Sequence, residues 1–504
     1  MIERHGIESI PQAERSASVL DYLRIAWGGC NSLATAVLGA FPIIFGLSFW
    51  QGLAATVLGV LAGALLLAPM SVFGALNGTN NAVSSSAHFG VVGRIVGSLL
   101  SLLTAVCFYS ISVWSSGDAV VGAAHRLLGS GTTDSAHAVA YGFFALAVLA
   151  VSVYGFGLML WVNKVAVIAA SLLFLVGFAV LAPGFDAAYA GAGLRWGGAG
   201  FWPAFVGSLL VVMANPISFG AFLGDWTRYL PSRTPRRRLM GATVLSQVLS
   251  LMPFGFGLMS TCIIAQRAPA FLEQVDYMGG MLAIAPQAFV VPLLALAVLS
   301  GMSTGTTSLY GTGLDFSSVL PRFSRVQATL FIGSIAVALI YVGRFAFNLV
   351  DAITTVVSLI VVMTTPWMVV MMMGFVFRRG YYLPEAMQVF NRGQRGGPYW
   401  FFRGWNIAGM SAWVVSALLA LLAVNIPGHF TGWLGALAGG VDVSLLVAIV
   451  LPALLYPLLL RYFPEPAGIY GPLGPRWIRA IDAPIAPIVA GPAGHADRHA
   501  VRQS

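Results

Sequence analysis

The sequence predicts an all-α polytopic membrane protein of about twelve transmembrane helices. Three observations predict it. Only 9% of the 504 residues are charged while 58% are apolar, twelve apolar runs are each long enough to cross a bilayer, and basic residues crowd into alternate connecting segments. A water-soluble domain carries roughly 25% charged residues. A chain this poor in charge cannot make a wet surface, so lipid must cover much of it.

A helix crosses ~30 Å of hydrocarbon in about 20 residues. Runs of that size centre near 26–47, 53–73, 96–121, 138–159, 164–183, 202–223, 240–264, 288–312, 327–345, 350–375, 406–424 and 442–460. None alternates polar with apolar as a barrel strand would. The stretch from Gln327 to Phe377 holds two spans, divided between Gly343-Arg344 and Asp351. With both termini in the cytoplasm of the cell's inner (plasma) membrane, 22 of the 26 Lys and Arg residues fall in inner segments. Outer segments hold only Arg126, Arg195, Arg267 and Arg344. That asymmetry sets the expected orientation and supports an even number of spans. It also absorbs the formal charge of +9, Arg236-Arg237-Arg238 included, so the positive charge argues for topology and against nucleic acid.

The ends and the cysteines add little chemistry. Residues 1–24 are polar and lack an apolar signal core, so the first span is expected to serve as the insertion signal. The Pro-rich end, 462–504, is expected to be a flexible cytoplasmic tail. Cys30, Cys107 and Cys262 lie singly in apolar stretches without metal-ligand spacing. No cofactor is implied beyond a possible coupling ion, Na+ or H+.

Interruptions within the spans are more informative, because unwound backbone at membrane depth survives only where it lines a cavity or is buried in protein. The first span reads Trp27-Gly28-Gly29-Cys30-Asn31-Ser32, then Gly39-Ala40-Phe41-Pro42. The sixth reads Asn215-Pro216-Ile217-Ser218-Phe219-Gly220, and the eighth carries the polar run Ser300 to Ser308. Gly and Ser also serve close helix packing, but Pro216 removes a backbone donor and marks a break. Spans one and six are five apart and cross in opposite directions. Two five-helix units so related form an inverted repeat, with a solute held between the broken helices. Asn31 and Thr35 are the first-span candidates for touching it.

Ionisable and aromatic residues at depth refine this reading. Asp118, near the outer end of the third span, is a candidate for proton or cation coupling. Asp225, Asp315 and Asp351 fall at span ends, where wet or salt-bridged roles are expected. No histidine lies inside a predicted span, which argues against a histidine proton relay. Phe108 and Ser112, four apart, share a helix face. An aromatic plate beside a hydroxyl suits a flat, hydrogen-bonding heterocycle.

The segment Asn215-Pro216-Ile217-Ser218-Phe219-Gly220-Ala221-Phe222-Leu223-Gly224-Asp225-Trp226-Thr227-Arg228-Tyr229-Leu230-Pro231 resembles the sixth-span signature of the nucleobase:cation symporter-1 family, in its purine–cytosine permease branch. Gly6 to Pro11, Trp27 to Asn31, Ser308 to Asp315, Arg378 to Tyr382, Gly397 to Trp400 and Gly404 to Asn406 follow in family order. The resemblance implies a LeuT-like five-plus-five inverted repeat, about 25–183 and 202–375, with two further helices across 406–461. It implies uptake of a nucleobase or related ring with a cation. By that pattern Phe108 stands where the family commonly has a stacking Trp, and Ser112 where it often has Gln or Asn. Ser308 stands where the eighth span often binds solute through Asn. Ser303 and Thr304 lie near hydroxyls that bind sodium in sodium-coupled members, and Asn215 to Phe219 covers the sixth-span side of the pocket. Losing two amides and a Trp leaves the substrate open among cytosine, purine, hydantoin, allantoin and thiamine-precursor rings, since hydrogen-bond readout is where discrimination is strongest.

A polytopic membrane enzyme would gather acids, histidines or metal ligands at one membrane face, and here they are scattered. A channel would show a repeated filter-like segment, and none occurs. The sequence therefore points to an ion-coupled carrier of a small heterocycle.

Overall fold

The computed structural model describes residues 6–198, 200–273, 276–320, 322–346, 349–426 and 430–490; side chains from 344 to 354, and with them Arg344 and Asp351, lie outside the description. The first span is a broken helix. Ser18 and Asp21 form a capping box that starts α1 (Val19–Cys30), whose end is loosened by Gly28-Gly29. Ser32 then caps α2 (Leu33–Ile44) by accepting from the Thr35 amide. The two halves meet at 52°. The later Gly39-to-Pro42 interruption does not break α2, which runs through Pro42 to Ile44.

A second capping box, Ser48 with Gln51, opens α3 (Phe49–Leu67). Three short helices follow, α4 (Ser71–Asn77), α5 (Asn81–Ser84) and α6 (Ser86–Phe89). Spans three to five are α7 (Ile95–Leu128), α8 (Asp134–Tyr154) and α9 (Phe156–Leu181). The sixth comprises α10 (Phe201–Ser218) and α11 (Leu223–Thr227), and the seventh α12 (Arg236–Leu249) and α13 (Leu251–Arg267). After the connecting α14 (Ala270–Glu273) and α15 (Tyr277–Ile284) come α16 (Val290–Val319), α17 (Arg325–Ala346) and α18 (Leu349–Phe377). Finally α19 (Pro384–Met387), α20 (Ile407–Leu421), α21 (Trp433–Leu437) and α22 (Ser444–Tyr462) complete the chain of helices.

Ten of the described helices are long and apolar enough to cross a membrane, or eleven with the bent first pair taken as one span. The remaining predicted span is α20, an apolar helix of 15 residues. Large apolar side chains point outward along these helices, with Leu65, Trp161 and Leu446 each more than 60% exposed. A soluble protein would not tolerate so continuous an apolar exterior.

Some boundaries differ from expectation. Spans four and five divide at Gly155, whose φ of +101° suits glycine alone. The fifth helix therefore begins at Phe156, and Lys164, expected in an inner loop, is an exposed residue within α9. The sixth-span interruption opens just after the Asn215-Pro216 pair. Pro216 stays inside α10, but it has no N–H for the Val212 carbonyl. The next turns tighten, with Phe219 N–H donating to Pro216 O at 3.2 Å and Gly220 N–H to Ile217 O at 2.9 Å. The eighth span is not interrupted: α16 runs 30 residues without a break.

The helices sort into two sets. α1, α2, α3, α10, α12 and α13 pack among themselves, as do α7, α8, α16 and α17, and α9 and α18 join the sets. Close approach within the first set needs glycine. A Cβ on Gly39 would lie 2.3 Å from the Phe254 carbonyl oxygen, and one on Gly257 1.9 Å from that of Ala36.

Both ends of the described chain lie on one face. The Ile10 N–H donates to Gly78 O, and Gln388 Nε2 to Ile7 O. At the other end β1 (Gln394–Arg395) pairs antiparallel with β6 (Val489–Ala490), Gln394 opposite Ala490. β2 (Asn425–Ile426) with β3 (Phe430–Thr431), and β4 (Glu465–Pro466) with β5 (Ala480–Ile481), form the other small sheets. So where the sequence suggests a flexible tail, residues 465–490 are pinned down. The anchor is a buried ion pair, Arg378 Nη2 to Glu465 Oε2 at 2.7 Å. His88, fully buried, accepts from Arg378 through Nδ1 at 2.8 Å and reaches the Tyr382 hydroxyl through Nε2 at 3.0 Å. Burial, with the Arg378 charge added, holds the His88 imidazole well below its usual pKa, so it is a neutral structural group at neutral pH.

Candidate functional site

The break in the first span is the centre of a polar cluster drawn from four helices. Carbonyls at the end of α1 face hydroxyls on α16. Ser303 Oγ lies 2.8 Å from the Gly28 carbonyl oxygen and 2.6 Å from Asn163 Oδ1 on α9, two acceptors for its one proton. Thr304 Oγ1 donates to Gly29 O at 2.9 Å, and the Leu33 N–H at the start of α2 donates to Ser300 Oγ at 3.2 Å. The backbone groups that a broken helix leaves unpaired are thus met by a neighbouring span. Gly28 must be glycine, since a Cβ there would lie 2.4 Å from Asn163 Oδ1 and 2.8 Å from Ser303 Oγ.

The sixth span enters through Phe219. Its ring edge would stand 3.0 Å from a Cβ on Gly29, and Thr307 Oγ1 only 3.4 Å from that same point. Asn215, one turn before Phe219, shares its helix face. It is buried, and its Nδ2 has no hydrogen-bond partner among the described residues. An amide donor so placed in a membrane interior is a feature that calls for a ligand.

The third span contributes Phe108. Ser116 Oγ donates to Ala297 O at 2.9 Å and Ser98 Oγ meets Ser318 Oγ at 2.8 Å, so α7 and α16 run antiparallel side by side. Phe108, midway between these anchors, is level with residues 305–308 of α16. Phe108 and Ser308 are both buried. Phe108 on the third span and Asn215 and Phe219 on the sixth are thus buried candidates for lining a site, with Phe219 beside the first-span break.

Other predicted residues are placed differently. Ser112 sits one turn above Phe108, and its hydroxyl donates to the Phe108 carbonyl at 2.7 Å. Asn31 points to the fifth span, donating to Val167 O at 3.2 Å and Ser171 Oγ at 2.9 Å. Thr35 belongs to the cap of α2, its amide 3.4 Å from Ser32 Oγ. Asp118 stands ten residues beyond Phe108, ~15 Å along the helix. There the Tyr141 hydroxyl donates to it and His137 Nε2 lies 3.7 Å away. It does not join Ser303 and Thr304. His137 falls in the first turn of α8 and His125 in the last turn of α7, so two histidines do lie within spans, both at their ends. One or two turns along α10 from Asn215, an opening is lined by Phe45, Leu210, Val211, Val357 and Asn425.

The family model described as permease for cytosine/purines, uracil, thiamine, allantoin matches residues 9–447. The chain belongs to this family. The permease is 24% identical over 476 residues to YxlA of Bacillus subtilis (strain 168), which bears a purine-cytosine permease name; the match covers 91% of this chain and 96% of that protein. A shorter stretch of 127 residues is 31% identical to the vitamin B6 transporter TPN1 of Saccharomyces cerevisiae, over 24% of this chain and 21% of TPN1. Among solved structures, Mhp1, a nucleobase-cation-symport-1 family transporter, in a closed conformation with bromovinylhydantoin bound, superposes with a TM-score of 0.70 at 15% identity, covering 92% of this chain and 96% of that one. A substrate-bound, outward-open Na+-coupled sialic acid symporter superposes with a TM-score of 0.55 at 14% identity over 89% and 91% of the two chains. These likenesses establish the LeuT-like fold. The protein is a multi-pass secondary active transporter of the nucleobase permease class and not an enzyme.

Sequence reasoning missed three parts of the permease's site. Asn163 fell outside the predicted fifth span because Gly155 reads as a tolerated glycine in an apolar run. Thr307 was hidden among similar hydroxyls. Asp225 and Asp315, expected at span ends in wet or salt-bridged roles, are both fully buried, which removes the wet alternative. The signal for that was helix length: 30 residues of α16 extend ~45 Å, well beyond ~30 Å of hydrocarbon.

Proposed function

We propose that this permease imports a nucleobase of the cytosine or purine class, held flat between Phe108 and Phe219 with a ring acceptor on Asn215 Nδ2. The observation that supports the reading is the buried Asn215 amide, without a partner among the described residues, one turn before Phe219, whose ring edge meets the first-span break. Stacking supplies affinity and the amide fixes orientation. Ser308 completes the eighth-span side, and Ser112 offers an oxygen lone pair, its proton being spent on Phe108 O. Asn31 and Thr35 shape the break rather than the ring's immediate surroundings. The basic segments at the face shared by both ends support a cytoplasmic placement of that face in the plasma membrane.

Transport is driven by a monovalent cation gradient. Ser303 and Thr304 tie α1 to α16 in this conformation; an alkali cation would take the same oxygens in place of those hydrogen bonds. The purified permease in proteoliposomes should take up one ring from a panel of cytosine, hypoxanthine, uracil, allantoin, hydantoin, thiamine and pyridoxine, with saturation and with competition confined to similar rings. Best uptake of pyridoxine or hydantoin would keep the site and change its solute. Uptake of none would remove the reading.

A further inference from the structure

The helices α18, α20 and α22 pack on one another, and their inner ends carry a rim of exposed arginines and large apolar side chains. Helix length puts this rim at the edge of the bilayer. The 19 residues of α22 extend ~28 Å, about the thickness of the hydrocarbon, so Tyr462 marks the inner boundary. Glu465, one turn on, fixes the neighbouring ends at the same level. Asn406 Nδ2, just before α20, donates to its Oε1 at 2.6 Å, and Arg378 Nη2, just after α18, to its Oε2 at 2.7 Å. The chain beyond is held there too, the Arg476 N–H donating to Phe377 O at 2.8 Å.

Two arginine–aromatic pairs stand on this rim. The Arg403 guanidinium lies over the Phe402 ring at 5.7 Å, and that of Arg476 over the Trp477 ring at 4.2 Å. Phe402 is 60% exposed and Trp477 75%, and both arginines are exposed. Each pair has one member in left-handed backbone, Arg403 at φ +51° and Trp477 at φ +66°, a conformation that bulky residues avoid. Among the described residues the non-glycine positions of this kind are Arg379, Phe401, Arg403 and Trp477, all at these inner ends. Such strain persists where surrounding contacts impose it, and here it holds rings and cations out of the protein. Leu473 is as exposed as Trp477. Across residues 461–482 the exposed charges are Arg461, Arg476 and Arg479 against one acid, Asp482, since Glu465 is buried on Arg378.

We propose that this rim docks the acidic phospholipids of the inner leaflet. The proposal rests on the cytoplasmic placement of this face given above. Charge and apolar surface together select the occupant. A soluble phosphate would meet the guanidiniums but leave Trp477 and Leu473 in water. A phospholipid meets both, its phosphodiester on Arg403 and Arg476 and the upper part of its chains against the indole and Leu473. The rim also continues the lipid-covered exterior of α22, where Leu446, Leu454 and Leu458 face outward. Because Glu465 ties this part of the chain to α18 and α20, lipid seated on it braces the inner ends of all three helices.

The test is thermal unfolding of the full-length permease in a neutral detergent, with phosphatidylglycerol, phosphatidylcholine or glycerol phosphate added. Phosphatidylglycerol should raise the unfolding temperature by several degrees, phosphatidylcholine by less, and glycerol phosphate not at all. Arg403→Gln with Arg476→Gln should lose most of the phosphatidylglycerol shift. Arg233→Gln with Arg238→Gln, which removes equal charge from exposed positions around the start of α12, should keep it. Trp477→Gly accepts the left-handed backbone without strain, so it should unfold no earlier than wild type without lipid and yet respond less to phosphatidylglycerol. Equal shifts in the two arginine double variants, an equal shift with phosphatidylcholine, or a shift from glycerol phosphate alone overturns the proposal. So does a wild type that phosphatidylglycerol leaves unmoved, or a Trp477→Gly response equal to that of wild type. No arm involves a solute, an ion gradient or the direction in which the chain crosses the membrane, so the carrier reading and its orientation stand or fall separately.

Discussion

A graded glycine series probes the first-span break most sharply. At Gly28 an added methyl meets Asn163 Oδ1 at 2.4 Å and Ser303 Oγ at 2.8 Å. Both neighbours are fixed, Asn163 by Met159 O and Ser303 by Gly28 O, so Gly28→Ala must break the Ser303 contacts to Gly28 O and Asn163. Each buried hydrogen bond left unmade costs about 1–3 kcal/mol. The two contacts share the one Ser303 proton, so their loss counts once, about 1–3 kcal/mol, a factor of about five to about a hundred and sixty in the population of the clasped break. At Gly29 the methyl meets the Phe219 ring edge at 3.0 Å and Thr307 Oγ1 at an ordinary contact distance of 3.4 Å, and a small displacement relieves it; a few-fold rise in KM is expected, under about 1 kcal/mol. Gly241, inside α12, has nothing within 4 Å of the added carbon, so Gly241→Ala should be silent in transport and raise stability by about 0.5–1 kcal/mol. The assay is initial uptake into proteoliposomes at equal protein, alongside thermal unfolding in detergent. Transport should fall in the order Gly241→Ala, Gly29→Ala, Gly28→Ala. A Gly28→Ala protein that transports like Gly241→Ala refutes the clasp.

Asn215→Ala should raise KM about fivefold or more, by about 1–3 kcal/mol of lost hydrogen bonding, and leave the melting temperature unchanged or higher because Nδ2 has no partner among the described residues to lose. Phe108→Ala should weaken ring binding up to about tenfold, from ~0.5–1.5 kcal/mol of ring contact, with Phe108→Trp restoring it; unchanged apparent affinity would place Phe108 outside the pocket. Glu465→Gln leaves the buried Arg378 charge unpaired and should lower stability by about 3–5 kcal/mol, read as a large drop in thermal unfolding temperature; a drop of a degree or less would show the pair is dispensable. His88 gives a pH signature. Its pKa is depressed in the folded protein, so below about pH 6.5 the unfolded state binds more protons and stability falls with pH. His88→Gln should flatten that acidic slope, and an identical slope would assign it to other groups.

The helix plan was legible because lipid imposes it. Twelve apolar runs and lopsided arginines are global demands of the bilayer, and they survive errors in any single boundary. The first-span break was legible too, since Gly28-Gly29 followed by Asn31 and Ser32 contains both the loosening residues and the cap of the next helix. The sixth-span interruption was off by one turn, because a proline marks the missing donor whereas the backbone yields in the turn after it. Long-range partners left no local trace. Nothing near Asn163 announces Ser303, 140 residues away, and nothing in the Pro-rich tail announces that Glu465 will meet Arg378. Asp315 reads as a wet or salt-bridged span-end acid unless the length of α16 is known.

The account stands on a ring lying between Phe108 and Phe219 beside the first-span break. An experimental density map of the permease bound to the ring it carries best decides this directly. The account predicts planar density against both phenyl rings, with an acceptor atom in hydrogen-bond reach of Asn215 Nδ2. Density confined to the opening by Leu210 and Val357, with Asn215 sealed behind closed helices, would contradict it.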